Sequence, residues 1–95
     1  VTASEPRRLR IVLTNRHGLH ARPASLFVQT ANAYASTLQV GRTDQPERVN
    51  GKSIMEMMML AAERGVELEL LADGPDADEL LRALAELIGA NFGED

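Results

Sequence analysis

Val66-Glu67-Leu68-Glu69-Leu70 is followed by Asp73-Gly74-Pro75-Asp76, and then by a run in which Leu80, Leu81, Leu84, Leu87 and Ile88 recur. Across this stretch the apolar period changes from two to about 3.6 at one punctuated break. The alternation of Val66, Leu68 and Leu70 with Glu67 and Glu69 predicts a strand with one face on a core and one wet face. The later spacing predicts a helix with a single apolar stripe, opened by Asp76 and Glu79 at capping-box separation. Upstream, Gly65 ends a short helix that starts at Ser53. Before it, Leu38 and Val40 mark a strand, Arg42-Thr43-Asp44-Gln45-Pro46 its turn, and Glu47 to Val49 a short return strand, which together make a hairpin. Further back, Ala24, Phe27, Val28 and Ala31 carry a helical stripe, and Leu9, Ile11 and Leu13 alternate with Arg10, Val12 and Thr14 as a first strand. The order is strand, helix, strand, strand, helix, strand, helix, without internal repeat. One-sided helices and one-sided strands bury their apolar sides by stacking the helices on one face of a sheet, so the fold class is α+β, a two-layer sandwich. Periodicity leaves the strand order open. Residues 1–6 read as a loose tail and Asn91 to Asp95 as a frayed end.

Ninety-five residues, 44% of them hydrophobic and 25% charged, suit one domain over 1–95 with a modest core. Without cysteine there is no disulfide framework, and no apolar run approaches the length of a bilayer span or a signal peptide, so the expected location is the cytoplasm. A net charge of −4 and 3% aromatic residues argue against a nucleic-acid surface, which needs a basic footprint and usually stacking rings. Arg7, Arg8 and Arg10 read as a short, solvated basic patch.

The chemistry concentrates in Gly18-Leu19-His20-Ala21-Arg22-Pro23-Ala24. Gly18 tolerates the positive φ of a sharp turn into the following helix, which places His20 near the N-cap. Pro23 falls in the first turn, where its missing N–H costs no helical bond, and the amides of Ala21 and Arg22 are left pointing outward at the imidazole. First-turn amides and the guanidinium fork of Arg22 together suit a phosphoryl dianion carried by the ring. A capping histidine beside a solvated arginine is the bland alternative, and these neighbours weigh against it. No cysteine is present and no serine has a sequence-local base, which disfavours a catalytic triad. Zinc is disfavoured because His17 and His20 are the only histidines and their spacing comes from a loop. No metal or cofactor is expected. A phosphorylatable imidazole is the economical reading. Once phosphorylated, the added negative charge favours a proton on the other ring nitrogen and makes the ring a better leaving group.

Ser53-Ile54-Met55-Glu56 forms a second motif, a capping box worth about 1 kcal/mol to its helix if Ser53 is purely structural. All four methionines, Met55, Met57, Met58 and Met59, lie within five residues of that helix. Met57 and Met59 are assigned with Leu60 to the core, while flexible thioethers at the surface suit a protein that meets several partners.

Asn15-Arg16-His17-Gly18-Leu19-His20-Ala21-Arg22-Pro23-Ala24, with Phe27-Val28 and later Val49-Asn50-Gly51-Lys52-Ser53-Ile54-Met55, closely resembles the HPr family of histidine-containing phosphocarriers of the bacterial phosphoenolpyruvate-dependent phosphotransferase system (PTS). The resemblance runs from about Leu9 to about Gly89. It implies an open-faced sandwich: a four-stranded antiparallel sheet in βαββαβα order, three helices on one face and the other face open to solvent. It also implies that His20 carries the phosphoryl group as pros-phosphohistidine, that Arg22 and the backbone of Ala21 and Arg22 hold it, and that Ser53 is the regulatory serine phosphorylated in many, though not all, bacteria. Ala21, Arg22, Ser25, Ile54, Met55 and Met58 would form the partner surface. The implied partners are Enzyme I as donor, sugar-specific Enzyme IIA domains as acceptors and an HPr kinase/phosphorylase, with the carrier a monomer and no stand-alone catalyst. A regulatory relative, either of the nitrogen-related branch or a binding module acting through its serine, is the alternative. Two departures stand out. Glu56 replaces the glycine more usual at its place, setting a carboxylate beside Ser53, and the 42–46 turn is about two residues longer than the family leads one to expect.

Overall fold

The computed structural model describes residues 5–94. Strand β1 (Arg7–Val12) leads to helix α1 (Ala21–Asn32), then to β2 (Thr37–Arg42) and β3 (Arg48–Asn50). Helix α2 (Ile54–Met59), strand β4 (Glu67–Asp73) and helix α3 (Ala77–Gly89) follow, and a 3-10 turn over Asn91–Gly93 ends the described chain. The sheet order is β1-β4-β2-β3, every pair antiparallel. The predicted order of elements and the open-faced sandwich are what the structure has.

The stretch that set the period change supplies the centre of the sheet. β4 pairs with β1 from Arg7↔Ala72 to Val12↔Glu67 and with β2 from Thr37↔Asp73 to Arg42↔Leu68. Leu68, Leu70 and Ala72 point to the helical layer beside Leu38 and Val40. Against them α1 buries Ala24, Phe27 and Ala31, α3 buries Leu80, Leu81, Leu84 and Ile88, and α2 buries Met57. Each such large side chain contributes about 1.5–3 kcal/mol through removal from water, which offsets the ordering of a short chain.

The other face of β4 differs from the wet face expected. Glu69 is only 8% exposed. Arg10 donates to it from Nε at 3.1 Å, Arg48 from Nη2 at 2.5 Å, and the guanidinium of Arg8 lies 3.9 Å away. The register explains the clasp. Arg10 stands opposite Glu69 across β1, Gly41 opposite it across β2, and Arg48 opposite Gly41 across β3. Because Gly41 has no side chain, Arg48 reaches over β2 to a carboxylate two strands away; a Cβ there would lie 2.9 Å from the Glu47 carbonyl oxygen and 3.3 Å from Arg48 Cγ. The basic patch is thus half enlisted in an ion cluster, and the Arg10 guanidinium chief among its neighbours holds the Glu69 carboxyl below its ordinary range.

Four further expectations are corrected. Met59 is 76% exposed, because a six-residue helix turns only one narrow side inward and that side is taken by Met57 and Leu60. Asp76 stands at the N-cap of α3 without a side-chain cap bond. Its carboxylate instead accepts from the Ser36 hydroxyl and from the amides of Ala35 and Ser36, while the Asp76 amide donates back to Ser36 Oγ at 3.1 Å. These bonds, that of the Ser36 hydroxyl foremost, hold its carboxyl below the ordinary range. The Ser53 box is half made: Ser53 Oγ accepts from the Glu56 amide at 3.3 Å, but Glu56 Oε1 takes the amide of Asn50 at 3.0 Å rather than that of Ser53. Finally, the C-terminal end is not frayed through residue 94. Phe92 is 3% exposed, and Thr14 donates to Asn91 at 2.6 Å. Of the expected N-terminal tail, Glu5 and Pro6 are exposed ahead of β1; residues 1–4 and 95 lie outside the described residues.

Candidate functional site

Gly18 sits at φ +61 in the turn between β1 and α1, packed so closely that an added Cβ would lie 2.3 Å from the carbonyl oxygen of Ala62. The next residue, Leu19, donates its amide to that same oxygen at 2.8 Å. The turn is therefore pressed onto the loop that leaves α2, the helix that the second motif opens. His20 follows as the N-cap of α1, extended at φ −75 and ψ −175, and its carbonyl accepts the Ala24 amide at 2.9 Å. Pro23 is buried in the first turn, as its fixed φ and missing N–H favour. The amides of Ala21 and Arg22 have no preceding helical turn to bond, and among the described residues no acceptor takes them.

The imidazole is neither buried nor loose: its side chain is 39% exposed, and Nε2 lies 3.1 Å from Glu94 Oε2. A carboxylate only accepts, so in this bond Nε2 is the donor, and in the neutral ring the lone pair is then on Nδ1. Nδ1 has no partner among the described residues. The other oxygen of Glu94 accepts from Asn15 Nδ2 at 3.1 Å, and the same amide group donates to the Gly18 carbonyl at 2.8 Å. Asn15 is 1% exposed, and its Oδ1 has no partner among the described residues. The ring of His17 meets that of His20 edge-on, with centroids 5.6 Å apart and planes at 86°.

Arg22 is exposed at the second position of α1, with no ion pair among the described residues. Ala21 is exposed and Ser25 half-buried on the same helix, while Ile54, Met55 and Met58 are exposed along α2. Ser53 stands at the start of α2, and Leu19 bonds beyond its end, so about 9 Å of helix separates the serine from that tie. Among the described residues no cluster of three metal-ligating side chains forms, and no helix is long and apolar enough to cross a membrane. Glu94 and Asn15 are the site members that sequence reading did not assign. Asn15 lies within the motif but bears no distinctive chemistry there, and Glu94 is 74 residues from the ring it touches, beyond the reach of any spacing rule.

The family model described as "PTS HPr component phosphorylation site" matches residues 8–90. The phosphocarrier protein HPr of Neisseria meningitidis is 50% identical over 84 residues, covering 88% of this chain and 92% of that one. The phosphocarrier protein HPr of Pseudomonas aeruginosa is 49% identical over 87 residues, covering 90% and 94%. The crystal structure of HPr-C-His from Thermoanaerobacter tengcongensis superposes with a TM-score of 0.88 at 43% identity, covering 94% of this chain and 98% of that one. An N-capping imidazole with an available ring nitrogen thus lies within a matched phosphorylation-site family and a matched fold: the chain belongs to the HPr family, phosphocarrier proteins of the phosphotransferase system rather than stand-alone catalysts.

Proposed function

We propose that His20 accepts a phosphoryl group from Enzyme I and passes it to the histidine of a sugar-specific Enzyme IIA domain. The observation that carries this reading is the geometry of one ring: His20 caps α1 with Nε2 held by Glu94, so Nδ1 offers its lone pair at a partly open surface. In the forward step the Nδ1 lone pair attacks phosphorus, the P–N bond of the donor phosphohistidine breaks, and the bonding pair returns to the donor ring. The next transfer reverses these roles. First-turn amides of Ala21 and Arg22, with the Arg22 guanidinium, supply donors for the phosphoryl oxygens. Ala21, Arg22, Ser25, Ile54, Met55 and Met58 form the docking surface, where adaptable methionines suit successive partners. Ser53 is the candidate regulatory serine; a phosphate there would act on docking rather than on the ring, and it would meet the nearby Glu56 carboxylate.

The test is incubation with phosphoenolpyruvate and Enzyme I, followed by intact mass and acid treatment. An acid-labile gain of one phosphoryl group is expected in the wild type and in Ser53→Ala, and none in His20→Ala. Label that persists in His20→Ala would overturn the assignment.

A further inference from the structure

Resting on the carrier reading above, we infer that Arg42 is a positioning residue for His20: its guanidinium ties the end of β2 to the loop leaving α2, the loop on which the turn before His20 rests. Arg42 continues the inward side of β2 set by Leu38 and Val40, and its side chain is only 17% exposed. Nη1 donates to the carbonyl oxygens of Leu60 at 3.3 Å and Ala61 at 3.2 Å. Nε and Nη2 donate to the two oxygens of Asp44, each at 2.9 Å, so a carboxylate from the long 42–46 turn fixes the plane of the fork. The next amide, that of Thr43, donates to the Glu67 carbonyl at 3.0 Å and anchors the end of β2 to the sheet.

The loop needs such a tie. A six-residue helix leaves its last carbonyls without partners, and α2 has no basic residue of its own in its last turn. Ala61 takes φ +49, a conformation that a non-glycine residue holds where its surroundings fix it. Three successive carbonyls are then committed in order: those of Leu60 and Ala61 to Arg42, and that of Ala62 to the buried Leu19 amide at 2.8 Å. Gly18 lies against the same Ala62 carbonyl, and His20 follows Leu19 directly. The path from the hairpin to the imidazole is therefore continuous. Ile54 and Met55, at the other end of α2, are held separately by the Asn50–Ser53 turn, so loss of the fork displaces the ring more than the docking residues. A misplacement of 1 Å can cost a reacting group about a hundredfold in rate, and relaxation by part of that distance sets the expected loss at about tenfold.

The experiment compares wild type, Arg42→Lys, Asp44→Ala and Glu69→Gln in phosphoryl transfer from Enzyme I charged with phosphoenolpyruvate, and in amide exchange followed by NMR. Lysine keeps the charge but cannot span two carbonyls and a carboxylate. In Arg42→Lys, kcat is expected to fall about tenfold with KM for the carrier within about twofold of wild type, and in Asp44→Ala kcat is expected to fall about threefold. In both, exchange at the Leu19 amide is expected to speed up several-fold more than exchange in the β2–β4 ladder, because a purely global loss of stability speeds both alike. Glu69→Gln, which loosens the other side of the sheet, is expected to transfer at the wild-type rate. Unchanged kcat, an effect confined to KM, equal acceleration of Leu19 and ladder amides, or an equal slowing in Glu69→Gln overturns the inference. Should Arg42→Lys fail to fold, Asp44→Ala decides by the same readouts. A wild type that takes no label would instead defeat the carrier reading, and the Leu19 amide then decides the tie by itself: selective acceleration supports it, and none overturns it.

Discussion

Replacing Gly18 by alanine adds one methyl group at the point where the turn before His20 touches the loop that leaves α2, and the structure fixes what that methyl meets. It would lie 2.3 Å from the Ala62 carbonyl oxygen and 2.7 Å from Glu63 Cα, both backbone atoms that have no rotamer by which to withdraw. Alanine at φ +61 costs about 1–2 kcal/mol from left-handed geometry alone. Moving the Ala62 loop away breaks the 2.8 Å bond from the buried Leu19 amide, a further loss of about 1 kcal/mol. The sum is about 2–3 kcal/mol, and in a domain of this size each kcal/mol lowers the melting temperature by about 4–8 °C. Calorimetry is therefore expected to show a fall of about 8–24 °C, with faster amide exchange at Leu19. Gly89→Ala is the control: its Cβ meets nothing within 4 Å at the end of α3, and a change toward higher stability of at most about 1 kcal/mol is expected. A Gly18→Ala melting temperature within about 3 °C of wild type would refute the argument that this turn is set by steric contact with the Ala62 loop.

Four other outcomes follow from the strand clasp and the inward side of α2. The Glu69 carboxyl titrates below its ordinary value of 4.5, chiefly through the Arg10 hydrogen bond, so its stabilising effect is fully present above 4.5 and is lost as the pH falls through the lower folded value; Glu69→Gln should flatten the acid limb of stability measured by urea melts between pH 6 and 3. The same substitution is expected to cost about 1–3 kcal/mol at pH 7, since it removes the negative charge and turns one of the two accepting oxygens into a donor facing an arginine, and an unchanged urea midpoint would contradict the clasp. Gly41→Val should lower stability, because its Cβ would lie 2.9 Å from the Glu47 carbonyl oxygen and 3.3 Å from Arg48 Cγ, and a double-mutant cycle with Arg48→Ala should relieve only the part due to the Arg48 side chain, leaving the backbone clash. Met57→Ala is expected to cost about 3 kcal/mol and Met59→Ala less than about 0.5 kcal/mol; comparable losses in chemical denaturation would show that the inward side of α2 is misassigned.

Much of this molecule was legible because it is local. The alternation through Val66–Leu70 and the helical stripe through Ile88 specify strand and helix without knowledge of a partner, since each pattern is a statement about which side of one element is apolar. The Gly18–Ala24 run likewise reads directly: a turn residue, an N-capping imidazole, a proline tolerated in the first turn and free amides beside them, all within seven positions. What failed was whatever depends on residues far apart in the chain. Glu69 looks like an outward-facing charge until β1 and β3 bring arginines to it across Gly41. Asp76 looks like a helix cap until the Ala35–Ser36 amides, 40 positions earlier, take its carboxylate. Glu94 looks like part of a solvated end until Phe92 finds the core and carries the carboxylate to Nε2 of His20. Period and turn chemistry act over a few residues, so the elements, their apolar sides and the imidazole at a helix start can be read from the order of amino acids. Which charges are paired and which ring nitrogen of His20 meets a carboxylate depend on where distant backbone segments converge, a property that no local spacing encodes.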